Sequence, residues 1–309
     1  MADYVFYLPM DSPNAARKFI KIVNPFLAVF VKYDFWYFYF QQLSKRKIPL
    51  VILSATFRKN QVFFKWYGGL FRKMLEYVSH FFVQDHQSES MLQAIGFGNI
   101  TVIPDTRIDR VHQISQSTFE DPVVNHFLGG EKAIVGGSVY LEECNIISHL
   151  KEKNIFAKKL ILVPHNISDE YVSSIKKLFP SAALYTQYNK EKPSDILIVN
   201  TVGLLSSLYA KAEFAIIGGG FGKSIHNILE PAAFGIPVLF GPHFHKFREA
   251  HELLNCGGAF CFTDAESLEK ILQKLNPTEA GKATAAYIQQ RIGGTEKAYQ
   301  YLKQILSKA

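Results

Sequence analysis

Short apolar runs alternate with helix-like segments along the whole chain, and this alternation limits the possible folds more than any other feature. Residues 48–54, 160–164 and 213–217 are rich in Ile, Leu and Val and have the length of buried strands. Segments such as residues 34–47 have the composition of helices. Strands that alternate with helices form parallel βαβ units. The sequence therefore predicts an α/β protein built on parallel sheets.

The length of the chain favours two domains. With 309 residues it can form two cores of ordinary size. A polar stretch at residues 113–125 is typical of a linker, so we predict one domain at residues 1–120 and a second at 121–309. Residues 5–8 are predicted to form the first strand. Because no glycine loop precedes this strand, we expect the first domain to be incomplete at its amino end.

The composition is that of a globular protein and leaves several kinds of partner open. Apolar residues make up 48% and charged residues 20%, which excludes a disordered chain. The net charge is +7, and residues 1–120 hold 14 Lys and Arg against 9 Asp and Glu. Such a basic surplus suits nucleic acid, anionic lipid or a phosphorylated substrate.

Cysteine use and hydropathy indicate a protein of the cell interior. Cys144, Cys256 and Cys261 are odd in number and lack CxxC spacing, so neither a disulfide framework nor a zinc site is indicated. No apolar run approaches the ~18 residues that cross a bilayer, and the amino terminus lacks the pattern of a signal peptide. We expect a cytosolic protein unless a surface feature draws it to a membrane.

A glycine-rich stretch follows the apolar run at 213–217. Glycines occupy four of the five positions 218–222, and a helix-like segment containing His226, Asn227 and Glu230 comes next. Glycines let a backbone approach a ligand, and the amino end of a helix attracts phosphate. A carboxylate at Glu230 can accept hydrogen bonds from the hydroxyls of a ribose. The sequence predicts a nucleotide site here, although a tight turn with Glu230 at the helix start explains the pattern equally well.

Residues 218–242 also resemble the nucleotide-sugar segment of the 3-deoxy-D-manno-octulosonate (Kdo) transferases. The resemblance continues through residues 7–11, 31–36, 54–58 and 63–68, and so covers nearly the whole chain. It implies the GT-B architecture of two Rossmann-like domains. It further implies transfer of Kdo, with inversion, from CMP-Kdo to a lipid A precursor in lipopolysaccharide biosynthesis, at the cytoplasmic face of the bacterial inner membrane. The resemblance implies neither a metal nor a cofactor, and no nucleic-acid partner.

The resemblance assigns the CMP-Kdo donor to the second domain. His165 could also be only a turn residue after its strand, and a Gly-Ser turn such as that at Ser138 is a weak signal without the resemblance. The predicted donor-binding residues are Ser138, Pro164, His165, Gly218, Gly219, Gly220, Gly222, His226, Asn227 and Glu230.

The resemblance leaves one catalytic group without a match. Asp34 stands where the family usually has a glutamate needed for activity, so it is a candidate for orienting acceptor or catalyst; an acid at the start of a helix is the alternative. The family's general base lies in a glycine-rich segment near the amino terminus, and nothing in this chain matches it. We therefore expect a truncated or misstarted form, or a member without the base, that binds CMP but transfers poorly.

Residues 57–73 combine five basic residues and six aromatic residues with no acid. Such a segment suits an anionic membrane surface, but it would also suit single-stranded nucleic acid or an ordinary amphipathic helix with Phe63, Phe64 and Trp66 buried. The lipid acceptor of the family favours the membrane. The predicted acceptor and membrane residues are Arg58, Lys59, Lys65, Trp66, Arg72 and Lys73.

Two other functions remain open from the sequence. Another GT-B enzyme, such as a UDP-sugar transferase or epimerase, would share the glycine loop and Glu230. A nucleotide-sugar binding module without turnover would share them too. An NAD dehydrogenase is disfavoured because no G-x-G-x-x-G with a downstream acid follows the first strand.

Overall fold

The computed structural model describes residues 2–156 and 158–307, which form two compact units. The first unit comprises Met1–Asp109 with Arg291–Ala309, and the second comprises Arg110–Gln290. The first boundary lies after Asp109 and not at the predicted residue 120, and the segment from Arg291, which was predicted in the second domain, belongs to the first unit. Both units are α/β with parallel sheets, which confirms the predicted fold class.

The first unit has a four-stranded parallel sheet in the order β1-β2-β3-β4. Its register pairs Val29 with Val51 and Phe81 with Ile100. The elements of this part of the chain, the last of which ends in the second unit, are α1 (Pro13–Val23), β1 (Ala28–Val31), α2 (Tyr37–Lys45), β2 (Leu50–Ala55), α3 (Gly69–Leu75), β3 (His80–Val83), α4 (His86–Gln93), β4 (Ile100–Val102) and α5 (Thr106–Ser115).

The predicted first strand at residues 5–8 is wrong. Residues 4–10 have no strand partner among the described residues, and their side chains are largely exposed, with Tyr7 fully so. Near the end of this segment, the carbonyl of Pro9 accepts a hydrogen bond from the Tyr39 hydroxyl at 2.9 Å. The apolar run at residues 5–8 therefore did not indicate a strand, because these side chains are not buried in a sheet.

The last helix, α14 (Gly294–Leu306), completes the core of the first unit. Ala298 packs in one apolar cluster with Val51, Phe82 and Ile103. Asp109 fixes the start of this helix, since its carboxylate accepts hydrogen bonds from the amides of Gly293 and Thr295. Such bonds satisfy amide groups that a helix leaves free at its amino end. This is why the terminal segment belongs with the first unit.

The second unit contains a seven-stranded parallel sheet in the order β11-β10-β9-β5-β6-β8-β7. Its elements, in chain order, are α6 (Pro122–Leu128), β5 (Ala133–Val139), α7 (Leu141–Glu152), β6 (Leu160–Pro164), α8 (Asp169–Leu178), β7 (Ala183–Leu184), β8 (Ile196–Ile198), α9 (Leu205–Leu208), β9 (Ala212–Ile217), α10 (Leu229–Ala233), β10 (Val238–Phe240), α11 (Arg248–Asn255), β11 (Ala259–Cys261), α12 (Ala265–Lys274) and α13 (Pro277–Gln289).

The strand order reverses beside β5, and this reversal positions the candidate site. From β5 the chain adds β6, β8 and β7 on one side, and then returns to add β9, β10 and β11 on the other. The loops after β5 and β9 therefore leave neighbouring strands in opposite directions. In open parallel sheets such a switch point opens a crevice at the carboxyl ends of the strands, where ligands bind.

Candidate functional site

The glycine loop leaves β9 as predicted, but it does not begin a helix. Residues 218–223 form turns, residues 224–228 have no regular secondary structure, and α10 begins only at Leu229. Asn227 Oδ1 accepts a hydrogen bond from the amide of Leu229, the first residue of this short helix, at 3.1 Å. The prediction that His226, Asn227 and Glu230 share one helix is therefore wrong. The positive end of a long helix is not directed at the glycine loop.

The glycines at 218, 219 and 220 are required by the packing of the protein itself. A Cβ at Gly218 would collide with the carbonyl oxygen of Ser138, and a Cβ at Gly220 would collide with the backbone of Gly241. Gly219 has a φ of +88°, which other residues rarely adopt. A Cβ at Gly222 would meet only ordinary contacts.

Two amides of the glycine loop are already used within the protein. Gly219 donates its N–H to Glu143 Oε1 at 2.9 Å, and Gly222 donates to the carbonyl of Gly219 at 3.1 Å. His243 holds the same loop, since its Nδ1 lies 2.6 Å from the carbonyl of Gly222. The amides of Gly219 and Gly222, two of the predicted donor-binding residues, therefore already have acceptors within the protein.

Glu230 is held by two polar side chains. Ser206 Oγ donates to its Oε2 at 2.7 Å, and Asn227 Nδ2 donates to its Oε1 at 2.9 Å. Each carboxylate oxygen keeps a second lone pair for a further donor. Burial, and then the charge of Glu230, raise the pKa of the Tyr209 hydroxyl well above its ordinary value. The carboxylate is therefore fixed in direction and still able to accept hydrogen bonds from a diol.

Three aromatic rings stack on one another by the glycine loop, where the His226 amide donates to the carbonyl of Gly218. The centroid distance is 4.7 Å from Tyr140 to His165 and 4.6 Å from His165 to His226, with the rings within 28° of parallel. The Tyr140 hydroxyl lies 3.2 Å from His226 Nε2. Burial lowers the pKa of the His226 imidazole, and repulsion from His165 lowers it further. Both imidazoles can donate to an anion placed here.

The remaining predicted donor residues lie at the ends of β5 and β6. Ser138 has a left-handed backbone with a φ of +52°, next to the point where β5 and β6 shift register. Pro164 is buried as the last residue of β6. His165 follows it on the surface, and its amide donates to the carbonyl of Val139 at 3.0 Å. The structure therefore brings Ser138, His165, His226 and the glycine loop together at the carboxyl ends of β5, β6 and β9.

Three residues of this site were not predicted from the sequence. Tyr140 follows β5 directly, and a residue at the carboxyl end of a parallel strand is a candidate for ligand contact, so this position could have identified it. Glu143 is the third residue of α7, where a glutamate commonly reaches back to the helix start. Ser206 carried no signal, because only the folded chain brings it to Glu230.

In the first unit Asp34 does not cap a helix. α2 begins at Tyr37, and the acid at its start is Asp11, whose Oδ1 accepts hydrogen bonds from the amides of Phe38 at 3.1 Å and Tyr39 at 3.3 Å. The Asp34 side chain is exposed and has no hydrogen-bond partner in the part of the chain that the structure describes. The alternative interpretation of Asp34 as a helix cap is therefore wrong.

Residues 57–73, the basic aromatic segment, do not form a single amphipathic helix. Residues 62–64 form a short 3₁₀ turn and α3 begins at Gly69. Phe63 is buried, but Trp66 is 90% exposed, so the alternative in which Trp66 is buried is wrong. Arg72 donates to the carbonyls of Phe63 at 3.1 Å and Lys65 at 2.8 Å, which fixes the turn that carries Trp66.

The other predicted cations of this segment are on the surface. Lys59 and Lys73 are exposed, and Lys65 is half-buried. Arg58 lines a surface cavity of about 370 Å³ with Tyr33, Asn60 and Gln61. Within residues 2–156 and 158–307, no helix is long and apolar enough to cross a bilayer, and no group of three His, Cys, Asp or Glu side chains is placed to hold a metal ion.

Comparison with known proteins connects this chain to one family. Residues 1–110 match the family model described as 3-Deoxy-D-manno-octulosonic-acid transferase (kdotransferase). A 3-deoxy-D-manno-octulosonic acid transferase from Chlamydophila psittaci is 27% identical over 92% of this chain and 67% of its own length. One from Aquifex aeolicus is 28% identical over 83% of this chain and 67% of its own length.

The fold is similar to that of solved nucleotide-sugar enzymes. The crystal structure of UDP-GlcNAc 2-epimerase from Neisseria meningitidis, bound to UDP-GlcNAc, matches 96% of this chain and 80% of its own with a TM-score of 0.65. At 15% identity this likeness concerns the fold alone, which is the GT-B arrangement of two Rossmann-like domains. Together with the family model and the curated relatives, it supports a glycosyltransferase that is similar to the Kdo transferases.

Proposed function

We propose that this chain transfers Kdo from CMP-Kdo to a lipid A precursor, with inversion, in lipopolysaccharide biosynthesis. The proposal rests chiefly on Glu230, which is held by Ser206 and by Asn227, the residue after His226. A fixed carboxylate, together with the stacked imidazoles of His165 and His226 that can donate to an anion, suits a nucleoside monophosphate, which presents a ribose diol and a phosphate. The names of the relatives supply the sugar.

In this mechanism the acceptor hydroxyl attacks the anomeric carbon of Kdo. The new C–O bond forms as the bond from that carbon to the CMP phosphate breaks, and the hydroxyl proton must pass to a general base. Because nothing in this chain matches the family's general-base segment, we expect transfer by the chain alone to be poor. Because the amides of Gly219 and Gly222 are used within the protein, we assign the phosphate to His165, His226 and the Tyr140 hydroxyl. These donors are already in place before charge develops on the phosphate, which favours the transition state.

Asp34 and the basic aromatic segment form the acceptor side in this proposal. Asp34 is an exposed carboxylate, which suits a role in orienting the acceptor. Trp66, Tyr67 and Leu70 project into solvent among Lys59, Lys65 and Lys73, and this combination suits the headgroup region of an anionic membrane. We propose that the protein binds peripherally at the cytoplasmic face of the inner membrane, where its lipid acceptor lies.

Calorimetry with CMP and with UDP tests the donor. We expect the purified chain to bind CMP more tightly than UDP. The Glu230→Gln variant should bind CMP about tenfold more weakly or worse, since an amide replaces a charged acceptor of the ribose hydroxyls. Glu170→Gln, a change of the same kind at an exposed acid of α8, is the control and should bind like wild type.

Three results would overturn the proposal. A preference for UDP would favour another GT-B nucleotide-sugar enzyme. Equal and negligible CMP uptake by wild type and Glu230→Gln would remove the nucleotide site altogether. Tight CMP-Kdo binding without any release of CMP in the presence of acceptor would instead indicate a binding module without turnover.

A further inference from the structure

Glu143 lies beneath the candidate site and joins the two loops at the strand-order reversal. Its side chain is buried, with 1% of the residue exposed. Oε1 accepts a hydrogen bond from the amide of Gly219 at 2.9 Å, and Oε2 accepts one from the amide of Tyr140 at 3.0 Å. Gly219 follows β9 and Tyr140 follows β5, so a single carboxylate connects the loops of two neighbouring strands.

Only one of these two bonds belongs to ordinary helix capping. A glutamate at the third position of a helix commonly accepts from the amide just before the helix, as Glu143 does from Tyr140. The bond to Gly219 reaches a residue 76 positions away and serves no helix end. The neighbouring Glu142 is exposed and offers a natural comparison.

Two hydrogen-bonded attachments of His226 lead back to this carboxylate. The His226 ring is held through the hydroxyl of Tyr140, at 3.2 Å from Nε2. The His226 backbone is held through its amide, which donates to the carbonyl of Gly218 at 3.1 Å, next to Gly219. A shift of either loop would therefore move the imidazole.

We propose that Glu143 is a positioning residue for the nucleotide phosphate, since it sets the glycine loop and Tyr140 so that the His226 ring faces the ligand. The inference rests on the proposed function, because it presumes that CMP binds at the carboxyl ends of β5 and β9. A glutamine cannot replace the carboxylate. It has one accepting oxygen and one NH₂ group, so one of the two amides would face a donor in a buried place.

The test compares Glu143→Gln with Glu142→Gln by calorimetry with CMP, and thermal unfolding shows whether each variant is folded. We expect Glu143→Gln to bind CMP about tenfold more weakly, as one unsatisfied buried amide implies. Glu142→Gln should stay within about twofold of wild type, because its side chain faces solvent. Full CMP affinity in Glu143→Gln would overturn the inference. Absence of CMP binding by the wild type would overturn the proposed function, and this inference with it.

A double-mutant cycle separates positioning from general stability. Tyr140→Phe removes the hydroxyl that holds His226, and we expect it to weaken CMP binding about threefold. If Glu143 acts through this tyrosine, the double variant should bind about as well as Glu143→Gln alone; independent losses that simply add would contradict the inference. Should Glu143→Gln fail to fold, Tyr140→Phe still decides the matter, since unchanged CMP affinity in that variant would overturn the connection to His226.

Discussion

Ser206 Oγ donates a hydrogen bond of 2.7 Å to Glu230 Oε2, although the two residues lie on different short helices. This bond fixes the direction of the carboxylate before any ligand arrives. We expect Ser206→Ala to leave the protein folded and to weaken CMP binding about threefold to tenfold, because Glu230 would lose one of its two supports. Calorimetry measures the loss. Ser207→Ala, a neighbour in the same helix, is the control, and equal affinities of both variants would contradict the assigned role of Ser206.

Two glycines of one loop should respond differently to the same change. Gly218→Ala places a Cβ against the carbonyl oxygen of Ser138, so the backbone must shift, and we expect a loss of about 2 kcal/mol or more in the free energy of unfolding. Gly222→Ala meets only an ordinary contact, 3.7 Å from the carbonyl of Gly219, and should change that free energy by less than about 0.5 kcal/mol. Urea unfolding compares the two. Equal losses would show that packing is not what requires Gly218.

CMP binding should take up a proton at His226. Burial and His165 lower the pKa of this imidazole in the free protein, so it is neutral near pH 7. A bound phosphate favours the charged ring and raises its pKa. Affinity should therefore increase as the pH falls through the window between the higher pKa of the complex and the lower pKa of the free protein, with no further gain below both. Calorimetry in buffers of different ionisation enthalpy detects the proton, and His226→Gln should abolish this uptake.

The turn that carries the exposed Trp66 in the basic aromatic segment should control attachment to membranes. We expect sedimentation with anionic phosphatidylglycerol vesicles, and less with neutral phosphatidylcholine vesicles. Lys59→Gln should weaken binding by about 1 kcal/mol, the typical contribution of one cation near an anionic surface, and Trp66→Ala by at least as much through lost apolar burial. Lys190→Gln, an exposed lysine of the second unit, is the control. Equal sedimentation of Trp66→Ala and wild type would contradict a membrane role for this turn.

The strands of the second unit were predictable because burial on both faces requires a nearly continuous run of apolar residues. β6 and β9 are nearly continuous apolar runs, as parallel strands covered by helices must be. The same rule failed at residues 5–8, since apolar side chains do not by themselves supply a neighbouring strand. The spacing of Phe63, Phe64 and Trp66 suited one buried helix face. A 3₁₀ turn at residues 62–64 interrupts this helix, and Trp66 is exposed.

The contacts that define the site were less accessible from the sequence. A glycine run after an apolar strand is typical of a phosphate loop, but the glycines at 218 and 220 are required by close backbone neighbours that only the fold reveals. Asp34 stood nearest the predicted helix start, whereas Asp11 from an earlier segment caps it. Glu143 and Gly219 are brought together across 76 positions. Local patterns carry no information about such pairs.

The return of residues 291–309 to the first unit has a consequence for the order of synthesis. Val51 and Phe82 leave the ribosome early, but Ala298, which packs with them, is made only after the whole second unit. The second unit can acquire its structure while translation continues. The first must wait with an uncovered apolar face, which is where a nascent chain of this kind most needs chaperone protection.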